Sequence, residues 1–303
     1  MKVVSVINYK GGVGKTTLTA NLGAYAAAQG KRVLMIDLDP QTHLTFSFMT
    51  PEYWSERYAD NQTLKNYFEN VIKEDDNIPP LSSLVIHMNV GIGSEKLDLL
   101  SSHLELINID VELAGSISGV TRTQLAAKFL KLHSYLKKEI EKMSDDYDLV
   151  LIDCPPNFYV MVKNALLASD YYIVPAKLDY LSTLGVSELR KKIEEFLSQY
   201  DEYRLLLNDN RYQQVSLSLL GIVPNMVSIL KGDELIKAQA DYMEELKKED
   251  YYIFKYIRNN GTVFGVIPLN GVPAVLTRPK FNLTARKIVK ELKELGDEFL
   301  SKL

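Results

Sequence analysis

The sequence has little cysteine and little histidine. Cys154 is its single cysteine among 303 residues, which excludes an intramolecular disulfide framework and a metal site built on paired cysteines. The four histidines, at positions 43, 87, 103 and 133, include no pair at the i, i+4 spacing of a helical zinc site. Metal centres that rest on thiolate or imidazole ligands are therefore not expected.

The chain also lacks long apolar runs and an excess of positive charge. No run approaches the ~20 apolar residues that a bilayer crossing needs, and only seven residues separate Lys2 from Lys10, which is too short for a signal-peptide apolar region. The formal net charge of -4 differs from that of a constitutive, strongly basic nucleic-acid binder, although a local basic patch is compatible with it. We expect a cytoplasmic protein with no membrane partner.

The composition is otherwise that of a globular protein, 46% hydrophobic and 24% charged. The first forty residues alternate between two patterns. Residues 3–8 are a short apolar run, residues 15–29 have apolar positions at helical spacing, Gly30 suits the end of a helix, and residues 33–36 are apolar again. This order predicts two parallel strands joined by a right-handed helical crossover.

Further apolar runs occur at residues 148–153, 171–175, 219–224 and 263–268. Strands that are apolar throughout and separated by helices are typical of a parallel sheet covered on both faces. We therefore predict an α/β fold, a mostly parallel twisted sheet with helices on both faces.

Two helical patterns and one irregular segment complete the prediction. Thr121 and Gln124 have the spacing of a capping box, and apolar residues recur at helical spacing as far as Met143, which predicts one long helix. Residues 280–303 predict an amphipathic C-terminal helix, which we expect to pack on the core because its acidic side chains would face anionic lipid badly. Residues 45–119 predict short helices and a strand near residues 84–87.

We expect residues 1–303 to form a single domain, with residues 45–119 as an elaboration of it. A separate domain in that segment is the alternative.

A glycine-rich turn lies between the first predicted strand and the first helix. Glycine lets backbone N–H groups turn towards an anion, and the following helix directs its positive end at the same place. Lys15 supplies charge for the β- and γ-phosphates of ATP, and the Thr16 hydroxyl is placed to hold Mg²⁺. Tyr9 replaces the first glycine of the usual pattern, and the additional Lys10 marks the deviant Walker A form. The residues of this turn are Lys10, Gly11, Gly12, Val13, Gly14, Lys15, Thr16 and Thr17.

Three aspartates follow predicted strands at their carboxyl ends, where open α/β sheets bind ligands. They are Asp37, Asp39 and Asp153. Three carboxylates beside a triphosphate would repel it without a divalent cation, so we expect Asp37 and Asp153 to serve a Mg²⁺ site. Asp39 is placed to orient or deprotonate an attacking water. The alternative, that these aspartates only cap strand ends and the following helices, would be favoured for one aspartate alone and is disfavoured because the motifs at residues 37–41 and 151–156 occur together.

Three motifs carry a resemblance to a known family: the turn at residues 10–17, Asp-Leu-Asp-Pro-Gln at 37–41, and Ile-Asp-Cys-Pro-Pro at 152–156. Weaker matches extend the resemblance over most of the chain, at residues 174–175, 221–225 and 266–270. The sequence resembles the ParA-type partition ATPases, within the ParA/MinD group of deviant Walker A P-loop ATPases.

The resemblance implies a slow, partner-stimulated ATPase that forms a sandwich homodimer on ATP. Lys10 would reach the nucleotide of the second subunit, while Lys15 and Thr16 would contact phosphate and Mg²⁺. Asp39 would sit by the hydrolytic water, and Asp153 would hold Mg²⁺ through water. The resemblance also implies that the adenine is framed by Asn225 and the segment around Pro268.

The resemblance further implies non-specific DNA binding by the ATP dimer, which would place it on the nucleoid. A ParB-like centromere-binding adaptor would stimulate hydrolysis and release the dimer, and the cycle would drive plasmid or chromosome partition. Basic side chains of the C-terminal third are candidates for phosphate-backbone contacts, although each alone also fits an ordinary solvated surface. They are Lys231, Lys237, Arg258, Arg278 and Lys280.

The sequence departs from the family pattern at two places. Thr42-His43-Leu44 stands where the family has small residues such as Gly-Asn-Ala, and residues 274–280 differ from its Glu-Ala-Pro-Ser segment. These departures leave cargo and partner open. The alternatives are a MinD-like ATPase that positions a membrane or protein cargo, a metal-insertion or assembly factor on the same fold, and a binding module that does not hydrolyse its nucleotide.

Overall fold

The computed structural model describes residues 1–73, 78–88, 96–119, 121–230, 234–258 and 283–303. Within these residues seven strands form one sheet in the order β3-β4-β2-β5-β1-β6-β7, with every neighbouring pair parallel except β3 and β4. The strands are β1 (Lys2–Val6), β2 (Val33–Asp37), β3 (Ile86–His87), β4 (Leu97–Leu100), β5 (Leu149–Asp153), β6 (Tyr171–Ala176) and β7 (Ser218–Pro224). The predicted α/β fold is confirmed.

Helices pack on both faces of this sheet. Those in the described residues are α1 (Lys15–Ala28), α2 (Pro51–Arg57), α3 (Leu64–Ile72), α4 (Leu106–Ser116), α5 (Arg122–His133), α6 (Tyr135–Glu141), α7 (Val160–Ala168), α8 (Tyr180–Leu207), α9 (Lys237–Lys248) and α10 (Leu283–Lys302). α1 and α10 cover one face, and α3 to α9 contribute to the core on the other. None of the helices in the described ranges has both the length and the apolar character needed to span a bilayer.

The central strands are buried on both faces because successive side chains point to opposite sides of the sheet. Leu34 and Ile36 pack in the larger core, whereas Met35, between them, packs in the smaller one with α1 and α10. Each of these side chains is fully buried. This two-sided burial explains why the strands are apolar throughout.

The register of the central strands brings the two strand-end aspartates together. Asp153 of β5 lies opposite Val6 of β1 on one side and opposite Asp37 of β2 on the other. The glycine-rich turn follows β1 at the same edge, since all three strands are parallel. The fold therefore gathers the three predicted motifs at the carboxyl edge of the sheet.

The prediction of one long helix between residues 122 and 143 is wrong. α5 ends at His133 and α6 begins at Tyr135. The cause is Asn164 of α7, whose Nδ2 donates to the Leu132 carbonyl at 2.9 Å and whose Oδ1 accepts from the Leu136 amide at 3.2 Å. These two groups would bond each other in a continuous helix, so the inserted amide replaces that bond and breaks the helix.

Residues 45–119 contain more of the sheet than the sequence indicated. The predicted strand is present as β3, but β4 was not predicted, and it pairs in parallel with β2. β4 therefore connects the irregular segment directly to the central strands.

The C-terminal helix packs as expected. Its buried side chains include Leu292, Leu295 and Phe299, and Gly296 lies against the ring of Tyr25 on α1. The described part of α10 begins at Leu283, and residues 280–282 of the predicted helix lie outside the described residues. The strand predicted at 263–268 lies outside the described residues.

Candidate functional site

The turn after β1 depends on two glycines in left-handed backbone conformations, with φ 67° at Gly12 and 90° at Gly14. A Cβ on Gly14 would also lie 2.1 Å from Nδ2 of Asn225, which follows β7. That Nδ2 donates to the carbonyl of Val13 at 2.8 Å and braces the turn from outside. α1 begins at Lys15 with no side-chain cap among the described residues, so its first amides are available to an anion.

Lys15 directs its ammonium group into this turn. The residue is only 7% exposed, and its Nζ donates to the carbonyls of Asn8 at 3.1 Å and Lys10 at 3.4 Å. Burial lowers the pKa of Lys15, whereas the nearby Asp153 and Asp39 carboxylates act in the opposite direction. A cation at this position attracts an anion bound by the turn.

Asp153 combines complete burial with incomplete hydrogen bonding. Its Oδ1 accepts from the Thr19 hydroxyl at 3.4 Å, and the Thr16 hydroxyl also bonds the carboxylate. Within the described chain, Oδ2 is buried without a hydrogen-bond partner. Burial raises the pKa of Asp153 to about 7; the Thr16 hydrogen bond opposes this rise, and the Asp39 charge adds to it. An unsatisfied buried oxygen costs about 1–3 kcal/mol, and a bound cation would remove that cost.

Asp37, the other predicted Mg²⁺ residue, shapes the backbone. Its Oδ2 accepts from the amide of Thr45 at 2.8 Å and from the Thr45 hydroxyl at 2.7 Å, and its Oδ1 accepts from the Asp39 amide at 3.2 Å. Burial raises the pKa of Asp37, and the charge of Asp153 raises it further. Both oxygens thus hold the loop after β2, and a role in metal binding stays a prediction.

Asp39 lies in a tightly bonded loop. Its Oδ1 accepts from the Gln41 amide at 3.0 Å, and its carbonyl accepts from the Thr42 amide at 2.8 Å and from the Ser102 hydroxyl at 2.7 Å. Thr42 has φ 55°, which is unfavourable for a β-branched residue, and its buried hydroxyl has no partner in the described residues. The strained backbone is therefore held by neighbouring hydrogen bonds.

Lys10 points away from the turn towards the start of α8. Its Nζ contacts both carboxylate oxygens of Asp179, at 3.0 and 2.7 Å, and the hydroxyl of Ser182 at 3.2 Å. Asp179 is also the N-cap of α8 and accepts from the Ser182 amide at 2.8 Å. The lysine is thus paired within its own chain.

The site fits a cation that shares its coordination with a ligand. No group of three or more His, Cys, Asp or Glu side chains in the described ranges is arranged to hold a metal ion. The Thr16 hydroxyl and Oδ2 of Asp153 would therefore need further oxygens from phosphate or water, which is the environment that Mg²⁺ prefers.

Comparison with known proteins identifies the family to which this site belongs. Residues 1–205 match the model of a protein family that is described as "AAA domain". The chain belongs to this family, in its ParA/MinD-like branch.

Relatives of this ParA/MinD-like chain cover much of its length. It is 27% identical to the sporulation initiation inhibitor protein Soj of Bacillus subtilis, over 92% of each chain. It is 29% identical to the chromosome partitioning protein ParA of Caulobacter vibrioides, over 64% of this chain and 62% of ParA. Among solved structures, a complex of Cyanothece McdA with ATP superposes with a TM-score of 0.70 at 20% identity, over 100% of this chain and 96% of McdA.

The structure brings some of the predicted residues of the ParA/MinD-like site together and leaves others with different contacts. The glycine-rich turn, Asp39 and Asp153 share one edge of the sheet. Asn225, predicted beside the adenine, instead uses its side chain on Val13 and on the Met226 amide. Its adenine contact stays a prediction.

The predicted DNA contacts are only partly described. Lys237 is exposed at the start of α9, whereas Arg258 is mostly buried and pairs with Glu291 at 2.6 Å. The other three predicted DNA contacts, Lys231, Arg278 and Lys280, lie outside the described residues. Pro268, predicted beside the adenine, also lies outside them.

Sequence reasoning missed Asp179, Ser182 and Ser102. Asp179 carries a local signal, since an acidic N-cap precedes an apolar periodic segment, but that signal predicts a helix start and not a partner for Lys10. Ser102 carries no local signal, because its contact depends on the pairing of β4 with β2.

Proposed function

We propose that this chain is an ATP-hydrolysing nucleotide switch that uses ATP and Mg²⁺, dimerises on ATP, binds DNA without sequence preference and drives plasmid or chromosome partition. The observation that carries the proposal is the buried Oδ2 of Asp153, which has no hydrogen-bond partner among the residues that the structure describes and lies beside the Thr16 hydroxyl and the glycine-rich turn. The similarity to the chromosome partitioning protein ParA supports a partition role.

ATP and Mg²⁺ explain the electrostatics of the site. The turn, the first amides of α1 and Lys15 would bind the phosphates, and Thr16 and Asp153 would hold Mg²⁺, directly or through water. Mg²⁺ supplies Lewis-acid stabilisation of charge on the phosphates. The ATP complex of McdA, which has the same fold, supports this assignment.

Asp39 orients the attacking water in the proposed reaction. Its loop is fixed by Gln41, Thr42 and Ser102, so the carboxylate is held near the phosphate turn with little freedom. Fixed orientation of a nucleophile is one of the main sources of catalysis in phosphoryl transfer. Lys10 would add a second cation from the other subunit of the dimer.

DNA binding would follow dimerisation on ATP. Candidate contacts are Lys237 and the basic surface around Arg258, where a cavity of about 320 Å³ is lined by Lys255, Lys287 and Lys290 together with acidic side chains. Dimerisation would double such a surface and strengthen a salt-sensitive interaction with phosphates. The ATP dimer would then associate with the nucleoid, and a ParB-like adaptor would stimulate hydrolysis.

We also propose that residues 1–303 form one domain. The inclusion of β3 and β4 in the common sheet supports this proposal over a separate domain at 45–119.

Steady-state ATP hydrolysis tests the reaction. We expect Asp39→Ala to lose at least about tenfold in kcat, since general acid–base or water-orienting groups contribute about 10²–10⁴-fold. The exposed Asp241 of α9 provides the control, and Asp241→Ala should match wild type. Equal rates in wild type and Asp39→Ala would contradict the role of Asp39, and no hydrolysis in wild type would favour a non-hydrolysing binding module.

A gel-shift assay with random duplex DNA tests the switch. Binding should require ATP, weaken with salt, and be lost with ADP or without nucleotide. Binding that ignores the nucleotide would contradict the proposal. ATP-dependent binding to liposomes in place of DNA would indicate the alternative, a MinD-like ATPase that positions a membrane or protein cargo.

A further inference from the structure

The N-terminus of α7 is capped by a side chain of another helix. Asp110 of α4 is only 4% exposed, and its Oδ1 accepts from the amide of Met161 at 3.0 Å. The amide of Val160 also bonds this carboxylate. Tyr159, the N-cap residue of α7, contributes no side-chain cap among the described residues. Asp110 therefore supplies the acceptor that a local cap provides in other helices.

The charge of Asp110 suits this position. Burial raises its pKa to about 6, while the hydrogen bonds from Met161 and Val160 and the nearby ammonium of Lys163 oppose the rise. The carboxylate is therefore mostly ionised at neutral pH, and it lies at the positive end of the α7 dipole. Lys163 is on α7 itself, so both a charge and hydrogen bonds tie α4 to the start of α7.

The first turn of α7 adjoins the segment that follows Asp153. Residues 154–159 join β5 to α7, and within them Phe158 lies edge-on to the ring of Tyr9, with 5.9 Å between the ring centroids. The ammonium of Lys163 lies 5.9 Å from the centroid of the Phe158 ring. Tyr9 directly precedes the glycine-rich turn. The start of α7 is therefore packed against the phosphate turn through Phe158.

The chain just before α4 holds the loop of Asp39. Ser102 donates its hydroxyl to the Asp39 carbonyl at 2.7 Å, and its amide donates to the Thr45 hydroxyl at 3.1 Å. Leu106, at the start of α4, is fully buried in the larger core. The backbone between Ser102 and Asp110 thus connects the loop after β2 to the segment after β5.

We propose that Asp110 is a positioning residue of the hydrolytic site, and that its carboxylate fixes the segment after Asp153 relative to the loop that carries Asp39. This inference rests on the proposed ATP hydrolysis and names a residue that acts on it through the backbone. Asp39 orients the water and Asp153 serves Mg²⁺ at the phosphates, so their two segments must keep a fixed separation. Errors of about 1 Å in such placement cost about 10²-fold in rate.

Steady-state hydrolysis by the full-length chain tests this role. Asp110→Ala should lower kcat about tenfold or more and leave KM for ATP within about threefold, because the phosphate-binding groups are retained and only their alignment with Asp39 changes. Asp110→Asn keeps an acceptor for the Met161 amide and loses only the charge, so its kcat should recover to within about threefold of wild type. A kcat of Asp110→Asn as low as that of Asp110→Ala would contradict the hydrogen-bonded cap.

Thr121→Ala is the matched control. The Thr121 hydroxyl caps α5 by accepting from the Gln124 amide at 3.2 Å, so this variant also loses one helix cap. α5 packs in the same core as α7 but follows α4, and is not joined to a strand end of the site. Both alanine variants should unfold at lower urea concentration than wild type, and only Asp110→Ala should lose kcat. Equal losses of kcat in the two would overturn the proposal.

A double-mutant cycle with Asp39→Ala tests the route of action. If Asp110 acts by aligning the water that Asp39 orients, its loss matters little once Asp39 is gone. Asp110→Ala should therefore lower kcat by less than about twofold in the Asp39→Ala background. An undiminished loss in that background would show that Asp110 acts independently of Asp39, and would refute the positioning role.

Hydrogen exchange at the amides of residues 154–163 provides a readout that needs no catalysis. These amides should exchange at least about twofold faster in Asp110→Ala, and at the wild-type rate in Thr121→Ala. Unchanged exchange in Asp110→Ala would refute the cap of α7 itself. If wild type hydrolyses no ATP while Asp110→Ala exchanges faster, the proposed function fails and the positioning role fails with it. If wild type hydrolyses ATP and Asp110→Ala does so equally fast, only the positioning role is wrong.

Discussion

Asp153 should make the stability of the ligand-free protein fall as pH rises. Burial raises its pKa to about 7 in the folded chain, whereas an aspartate in an unfolded chain titrates near ~4. Between these values the folded state holds a proton that the unfolded state has lost, so raising the pH favours unfolding. Replacing Asp153 with the neutral, similarly sized asparagine should remove this dependence.

The expected magnitude follows from the two pKa values. Linkage gives a slope of about 1.4 kcal/mol per pH unit within the window, and integration from pH 5 to pH 7 gives about 2 kcal/mol. The free energy of unfolding of wild type should therefore fall by about that amount relative to Asp153→Asn. The difference between the two proteins reports Asp153 together with its effect on its charged neighbours, since its charge also acts on the pKa of Asp37 and of Lys15.

Urea unfolding at pH 5, 6 and 7 in the presence of EDTA measures this difference. Asp241→Asn, at an exposed position of α9, is the control for the loss of one carboxylate. Adding Mg²⁺ and an ATP analogue at pH 7 should raise the free energy of unfolding of wild type by more than it raises that of Asp153→Asn. A flat difference between wild type and Asp153→Asn would refute the assignment of a raised pKa to this carboxyl.

Substitutions at three positions test the backbone of the site and the packing of α10 on α1. Gly14→Ala combines a left-handed φ with a contact to Asn225, and should weaken ATP-analogue binding at least about tenfold by calorimetry. Thr42→Gly should be about 1 kcal/mol more stable to urea than Thr42→Ala, because both remove the hydroxyl and only glycine relieves the φ of 55°. Gly296→Ala would place Cβ 2.2 Å from Cδ1 of Tyr25 and should destabilise the fold by about 1–3 kcal/mol in the same assay. If Gly14→Ala binds the ATP analogue as wild type does, the tight turn at Gly14 is contradicted. If Thr42→Gly and Thr42→Ala are equally stable, the strain at Thr42 is contradicted. If Gly296→Ala is as stable as wild type, the close contact with Tyr25 is contradicted.

Local patterns predicted the central sheet and the phosphate turn. The turn at residues 10–17 is defined by consecutive residues, and Asp39 and Asp153 follow apolar runs whose parallel pairing places their ends together. Gly30, with φ 82°, ends α1 as its position indicated. In each case the signal and the structure that it specifies lie within a few residues of each other.

Contacts between distant segments were beyond reach of the sequence pattern. The break at Ser134 arises from Asn164, about thirty residues later, and the pairing of Lys10 with Asp179 spans 169 residues. β4 was missed because its four residues give too short a pattern to distinguish a strand. These features depend on which elements become neighbours in the fold, and local composition does not encode that choice.

Because the Ser102 hydroxyl donates to the Asp39 carbonyl, we expect residues 45–119 to tolerate insertions before β4 better than insertions directly after it. Ser102 follows β4 by two positions, so inserting one residue between Leu100 and Ser102 would reverse the direction of the serine and release the loop that carries Asp39. Insertions before β4 leave this spacing intact. Natural variation in loop size is therefore expected to accumulate upstream of the strand, while the short stretch after it keeps a fixed count.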